Sequence, residues 1–131
     1  MTSAAVDDPD CLHVRPKLVA GRRLDEQIEW VVEACGDCAD AARDVVDEWL
    51  ERLGYGDARS PDRLNRLRLH AEQATALDRW HASLVRALVL RPAALVLHCA
   101  PQAPERAAVD AMAAQVRQRY PLHDVSVSDE P

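Results

Sequence analysis

The chain has 131 residues, a length typical of one domain, and 48% of them are hydrophobic and 29% charged, as in globular proteins. A formal net charge of −6 argues against a general nucleic-acid-binding protein, which needs a basic surface to neutralise phosphates. No apolar run approaches the roughly 18 residues that cross a bilayer. Residues 1–10 are acidic without a signal-peptide pattern, so we expect a disordered N-terminal tail on a cytoplasmic protein with reduced cysteines.

One hydrophobic stripe with spacings of three and four predicts a continuous helix over residues 24–53. The stripe consists of Leu24, Ile28, Val31, Cys35, Cys38, Ala42, Val45, Trp49 and Leu53. Gly54 offers a stop after this helix. Ten acidic residues against two arginines give residues 24–53 a net charge of −8.

Residues 60–91 predict a second long helix with clear end signals. Ser60 is a good N-cap, Pro61 suits the first helical position, and Pro92 ends the pattern. Three acidic residues against six arginines give this segment a net charge of +3. We expect the two helices to fold back as an antiparallel hairpin, which their opposite charges favour modestly.

After Pro92 the pattern changes to a strand at 93–98, a helix at 105–120 and a last strand near 125–127. This order is typical of a βαβ unit with a parallel strand pair, and residues 12–14 offer a third strand. The predicted fold class is α+β, predominantly α, with a long antiparallel helical hairpin followed by a small C-terminal βαβ unit. Residues 11–131 are expected to form a single domain.

Cys35 and Cys38 are the first candidates for chemistry, because residues at i and i+3 share one helix face. A hairpin that turns near residue 57 places His81 within about one helical turn of them. Cys11 or His13 then offers a further ligand for zinc, which favours tetrahedral sulfur and nitrogen sites. The alternative is that the two cysteines serve as small buried apolar residues and that His81 is a hydrogen-bonded core histidine.

Cys99 and His98 are the second candidates, at the end of a predicted strand and ahead of a helix. Catalytic groups of parallel α/β folds collect at the carboxyl ends of strands. A thiol near a helix N-terminus also has its thiolate stabilised by the helix dipole. These two residues therefore suggest a small thiol enzyme.

The leading interpretation is a non-catalytic protein-interaction or regulatory module that forms a homodimer through its hairpin and binds neither nucleic acid nor membrane. It rests on long amphipathic helices and on the absence of a recognisable catalytic motif. If the acidic face of residues 24–53 binds a partner, that partner is basic. The alternative is a zinc-binding protein or a thiol-based sensor that uses Cys35 and Cys38 with His81. No cofactor is expected under the leading interpretation, and zinc under the alternative one.

Overall fold

The computed structural model describes residues 10–121 and 123–130, which group into two compact parts. Residues 16–91 form the helical part, and the described residues before and after it form the sheet part. In chain order the helical part is inserted between the two stretches of the sheet part, and the single domain predicted for residues 11–131 stays a prediction. Of the predicted N-terminal tail, only Asp10 lies within the described residues.

The helical part contains four α-helices. These are α1 (Leu24–Ala34), α2 (Ala39–Arg52), α3 (Pro61–Leu67) and α4 (Ala76–Val89). Helix α4 packs against both α1 and α2. Trp49 and Trp80 are almost fully buried in this part. The chain is thus α+β, as predicted, but each of the two long predicted helices is divided.

The first predicted helix breaks at Gly36, where the backbone adopts a φ of 60°. A short 3₁₀ turn, Gly36–Cys38, separates α1 from α2, and the N–H of Cys38 donates to the carbonyl of Cys35. Glycine adopts this left-handed conformation without the steric cost that other residues carry. The prediction of one helix over 24–53 was therefore wrong at this point, although Gly54, with a φ of 95°, follows the end of α2 as expected.

The second predicted helix is interrupted by residues 68–75, which form turns. Their backbone bonds to another segment: Leu24 N–H donates to the Leu69 carbonyl, and Ala71 N–H donates to the Arg22 carbonyl. A new helix then begins after Thr75, whose hydroxyl accepts a hydrogen bond from Asp78 N–H at 3.0 Å. The predicted start at Ser60 and Pro61 is confirmed, since Ser60 caps α3.

The sheet part holds three parallel strands in the order β1-β2-β3, where β1 is Cys11–Val14, β2 is Ala94–His98 and β3 is Asp124–Ser128. Between β2 and β3 the chain forms α5 (Arg106–Arg119). The buried residues of α5 are Val109, Met112, Ala113 and Val116. The whole helical part forms the connection between β1 and β2.

The register of the strands decides which side chains share a face of the sheet. His13 lies opposite Val96, and His98 lies opposite Ser128. Because side chains alternate along a strand, His13, Val96 and His98 share one face, and Leu95 and Leu97 belong to the other. Within the described part of the chain, no helix is long and apolar enough to span a bilayer.

Candidate functional site

The thiols of Cys35 and Cys38 lie at the break between α1 and α2. Cys35 caps the end of α1, and its Sγ donates to the carbonyl of Val31 at 3.3 Å. Cys38 is exposed at the end of the 3₁₀ turn, and all four cysteines of the chain are free thiols. The zinc hypothesis assumed that one continuous helix carries both thiols, and the structure does not contain that helix.

His81 lies in a buried polar cluster with Tyr55 and Asp78. The Tyr55 hydroxyl donates to Asp78 Oδ1 at 2.5 Å and lies 2.9 Å from His81 Nδ1. Since the single hydroxyl proton goes to Asp78, the His81 Nδ1–H donates to the Tyr55 oxygen. The prediction placed His81 beside the cysteines by assuming an uninterrupted helix over 60–91. The break at residues 68–75 removes the basis for that placement.

Arg66 completes this polar cluster. Its Nη2 donates to Asp78 Oδ1 at 2.6 Å, and its guanidinium carbon lies 3.9 Å from the centre of the Tyr55 ring. The cluster thus links α3, α4 and the loop after α2. Charge-assisted hydrogen bonds of this kind are stronger than neutral ones, so they offset the cost of burying the Asp78 carboxylate.

The surroundings of the cluster fix its protonation states. Burial raises the pKa of Tyr55 above its usual value, and burial lowers the pKa of His81 to about 4. Burial alone would raise the pKa of Asp78, but its hydrogen bonds from Arg66 and Tyr55 lower that pKa overall. At neutral pH the cluster therefore holds one ion pair and two neutral rings, an arrangement suited to a structural role.

The predicted zinc ligands are not assembled into one site. Among residues 10–121 and 123–130, no three His, Cys, Asp or Glu side chains come together in a way that could hold a metal ion. Cys11 is buried in β1 of the sheet part, whereas Cys35, Cys38 and His81 belong to the helical part. That set of residues therefore does not carry our functional proposal.

His13 and His98 form a pair on one face of the sheet. His13 Nδ1 lies 2.8 Å from His98 Nε2, and the two rings stack with their centres 5.0 Å apart. His13 is exposed on the edge strand β1, and His98 is buried at the carboxyl end of the central strand. The sequence analysis named both residues, one as a metal ligand and one as a catalytic group, without pairing them.

Cys99 is buried directly after β2, and its N–H donates to the Ser128 carbonyl at 3.0 Å. Burial raises the pKa of its thiol, although the positive charge of Arg106 acts in the opposite direction. Successive residues of an extended strand point to opposite faces, so His98 and Cys99 diverge. This environment disfavours a reactive thiolate and weighs against the thiol-enzyme hypothesis.

The surface of the helical part carries two neighbouring hollows along α1. The first, which we call the apolar groove, has a volume of about 170 Å³. Its apolar lining comes from Ile28, Val46, Leu50, Ala58, Leu64 and Leu67, and its polar lining from Asp25, Glu29 and Arg63. Nη1 of Arg63 is buried without a hydrogen-bond partner among the described residues.

The second hollow, which we call the acidic hollow, has a volume of about 390 Å³. Its lining consists of Arg23, Asp25, Glu26, Glu29, Trp30 and Glu33. Trp30 is 41% exposed, which is unusual for so large an apolar side chain. Because Asp25 and Glu29 line both hollows, the apolar groove and the acidic hollow form one continuous surface.

No protein-family model matches the chain, and no curated protein is significantly similar to it.

Neither Trp30 nor Leu64 was among the candidate site residues of the sequence, yet both are exposed. A signal for Trp30 was present, since it lies one residue after Glu29 and three before Glu33, on the acidic side of the helix. Leu64 gave no such signal, because its exposure follows from how α3 docks.

Proposed function

We propose that the chain is a non-catalytic interaction module whose apolar groove and acidic hollow bind a basic, amphipathic segment of a partner protein. The observation that carries this proposal is that the two hollows share Asp25 and Glu29 in their linings, which places an apolar recess beside several carboxylates and the exposed Trp30. Such a combination matches a peptide that presents an apolar anchor next to lysine or arginine.

The apolar groove by itself has room for a single apolar side chain. Its volume of about 170 Å³ is below the roughly 300–1,000 Å³ that is typical of small-molecule sites. The adjoining acidic hollow, although larger at about 390 Å³, is lined mainly by charged residues rather than by the apolar ones typical of small-molecule sites. Leu64 lies at the apolar groove and is 38% exposed, so an apolar anchor would cover it.

Charge complementarity favours a basic partner over a second copy of the chain. A two-fold dimer brings the same patch together from both copies, and here it would bring the carboxylates of the acidic hollow near one another. A basic segment meets the opposite charge and also offers a cation to the face of Trp30. The surface retains acidic character because two arginines meet four carboxylates: Arg23 pairs with both Asp25 and Glu26, Arg43 pairs with Glu29, and Glu33 also lines the acidic hollow.

The test uses a synthetic amphipathic peptide of about 20 residues, long enough for stable contacts along the helix. Its leucines repeat with helical spacing, and its polar positions are lysine and arginine. We expect 1:1 binding by titration calorimetry, weakened by added salt because exposed charges are screened. A peptide with glutamate at the polar positions should not bind.

Matched variants locate this binding. Leu64→Ala should weaken it about tenfold, as expected for the loss of an anchor contact, while Leu90→Ala, an exposed leucine outside both hollows, should not. Glu33→Arg should likewise weaken binding more than Glu51→Arg. Equal effects within each pair would refute the proposed surface. A dimer in light scattering that Leu64→Ala dissociates would replace the basic partner with a second copy.

A further inference from the structure

The histidine pair of the sheet part brings two ring nitrogens within hydrogen-bond distance. His13 Nδ1 and His98 Nε2 are 2.8 Å apart, although 85 positions of sequence separate the residues. The parallel register produces this proximity, since His13 lies opposite Val96 and His98 follows two positions later on the same face. The pair joins the edge strand β1 to the central strand β2.

Only one proton fits between these two nitrogens. One ring nitrogen must donate and the other must accept, so at most one of them can be protonated at this distance. The accepting nitrogen already presents its lone pair to the space between the rings. A neutral imidazole lone pair is also what a transition-metal ion binds.

The fold fixes the position of the His98 ring. His98 is 9% exposed, and its Nε2 is the nitrogen that faces His13. Burial lowers the pKa of His98, and Arg15 and His13 act in the same direction, whereas the charge of Glu130 and a hydrogen bond with its main chain act in the opposite direction.

We propose that His13 and His98 form a binding site for a divalent transition-metal ion of the class that favours imidazole, such as Ni²⁺ or Zn²⁺. Two nitrogens that each lie about 2.1 Å from one ion are about 3.0 to 3.4 Å apart in octahedral or tetrahedral geometry. The observed pair must therefore open by only a few tenths of an ångström. Because His13 is exposed, its ring can move by this distance.

The remaining coordination positions are taken by water. On binding, the proton between the rings moves to the other nitrogen of the ring that held it, and both facing nitrogens then donate lone pairs to the ion. The neutral pair loses no net proton in this step. At low pH, protonation of the rings competes with the metal, so affinity falls as pH decreases.

The experiment is a titration of the full-length chain, without an affinity tag, with NiCl₂ or ZnCl₂. It uses the Cys38→Ser background, because Cys38 is the exposed thiol and would compete for metal. We expect one ion per chain by calorimetry, together with changes in the ring NMR signals of His13 and His98. Mg²⁺, which favours oxygen ligands, should give neither effect.

Variants decide whether the pair is the site. His13→Gln should weaken binding at least tenfold, since even indirect support of a ligand is worth about 10- to 100-fold in affinity. His123→Gln, at an exposed histidine outside the pair, is the matched control and should bind as the parent does. Because His13 is exposed, its variant should fold even if His98→Gln does not.

Two results would overturn the proposal. One is the absence of stoichiometric metal binding in the Cys38→Ser chain, and the other is an unchanged metal affinity when His13→Gln is added to it. Both leave the interaction module untouched, because that proposal depends on residues of the helical part alone.

Discussion

Tyr55, Asp78 and His81 form a polar cluster inside the helical part, and each has a defined partner there. A buried carboxylate is costly unless it is paired, and Arg66 supplies the pairing charge from a side chain that is 31% exposed. His81 was expected either as a metal ligand or as a hydrogen-bonded core histidine, and its contact with Tyr55 matches the second description. Its pKa of about 4 makes this cluster a source of pH dependence.

We expect stability to decrease as the pH falls from 6.5 towards 4. In this range His81 binds a proton in the unfolded chain, where its pKa is near 6.5, but not in the folded chain, where it is about 4. A difference of about 2.5 pKa units corresponds to about 3 kcal/mol of unfolding free energy, present above pH 6.5 and lost by pH 4. The lowered pKa of Asp78 acts in the same direction at still lower pH.

Urea unfolding of the wild type and of His81→Gln at pH 7.5 and 4.5 measures this effect. The variant keeps a hydrogen-bonding side chain but no titratable ring, so it should lose less stability between the two pH values than the wild type. His123→Gln, at an exposed histidine, should behave as the wild type. The same pH dependence in His81→Gln and the wild type would contradict the assignment.

At the scale of elements, the helix ends were predictable where the signal is local. The Ser60-Pro61 start of α3 and the Gly54 stop after α2 depend on cap geometry within a few residues. The interior breaks at Gly36 and at residues 68–75 were missed, because the hydrophobic spacing continues across both. The second break is held by backbone hydrogen bonds between residues 22–24 and residues 69–71. These bonds join segments far apart in sequence, so the local hydrophobic spacing does not predict them.

The substitution Gly36→Ala tests the first break by the sign of its effect. We expect a loss of about 1 kcal/mol in unfolding free energy, because alanine is strained at a φ of 60°. Nothing lies within 4 Å of the added Cβ, so a clash does not contribute. If residues 24–53 formed one helix, as the sequence predicted, the substitution would instead increase the free energy of unfolding by about 1 kcal/mol, because alanine favours a helix interior more than glycine does. Urea unfolding with Ala41→Gly, within α2, as the control distinguishes the two cases.

At the scale of the whole molecule, the chain enters the sheet part, leaves it after β1 and returns at β2. The ends of the helical part thus continue into two strands that are hydrogen-bonded neighbours. Loss of the β1–β2 pairing would release both ends at once. This connectivity supports the expectation that residues 11–131 unfold as one domain despite the division into two compact parts.

Separate probes of the two parts test that expectation. All three tryptophans, Trp30, Trp49 and Trp80, belong to the helical part, so their fluorescence reports its unfolding. The amide NMR signals of Leu95, Val96 and Leu97 report the sheet part. We expect both probes to give the same urea midpoint and the same slope, as for a two-state domain. Midpoints that differ beyond their error would show two independently unfolding parts.

The sequence by itself determined the mixed helical and strand composition, the end signals of α2 and α3, and the presence of α5 between two strands, because periodicity and caps act over a few residues. Only the tertiary structure decided which side chains meet across long separations. The His13–His98 pair depends on the register of strands 85 positions apart, and the Tyr55–His81 contact depends on where the second helix restarts. Both contacts arise from backbone hydrogen bonds between distant segments, which spacing along the chain does not encode.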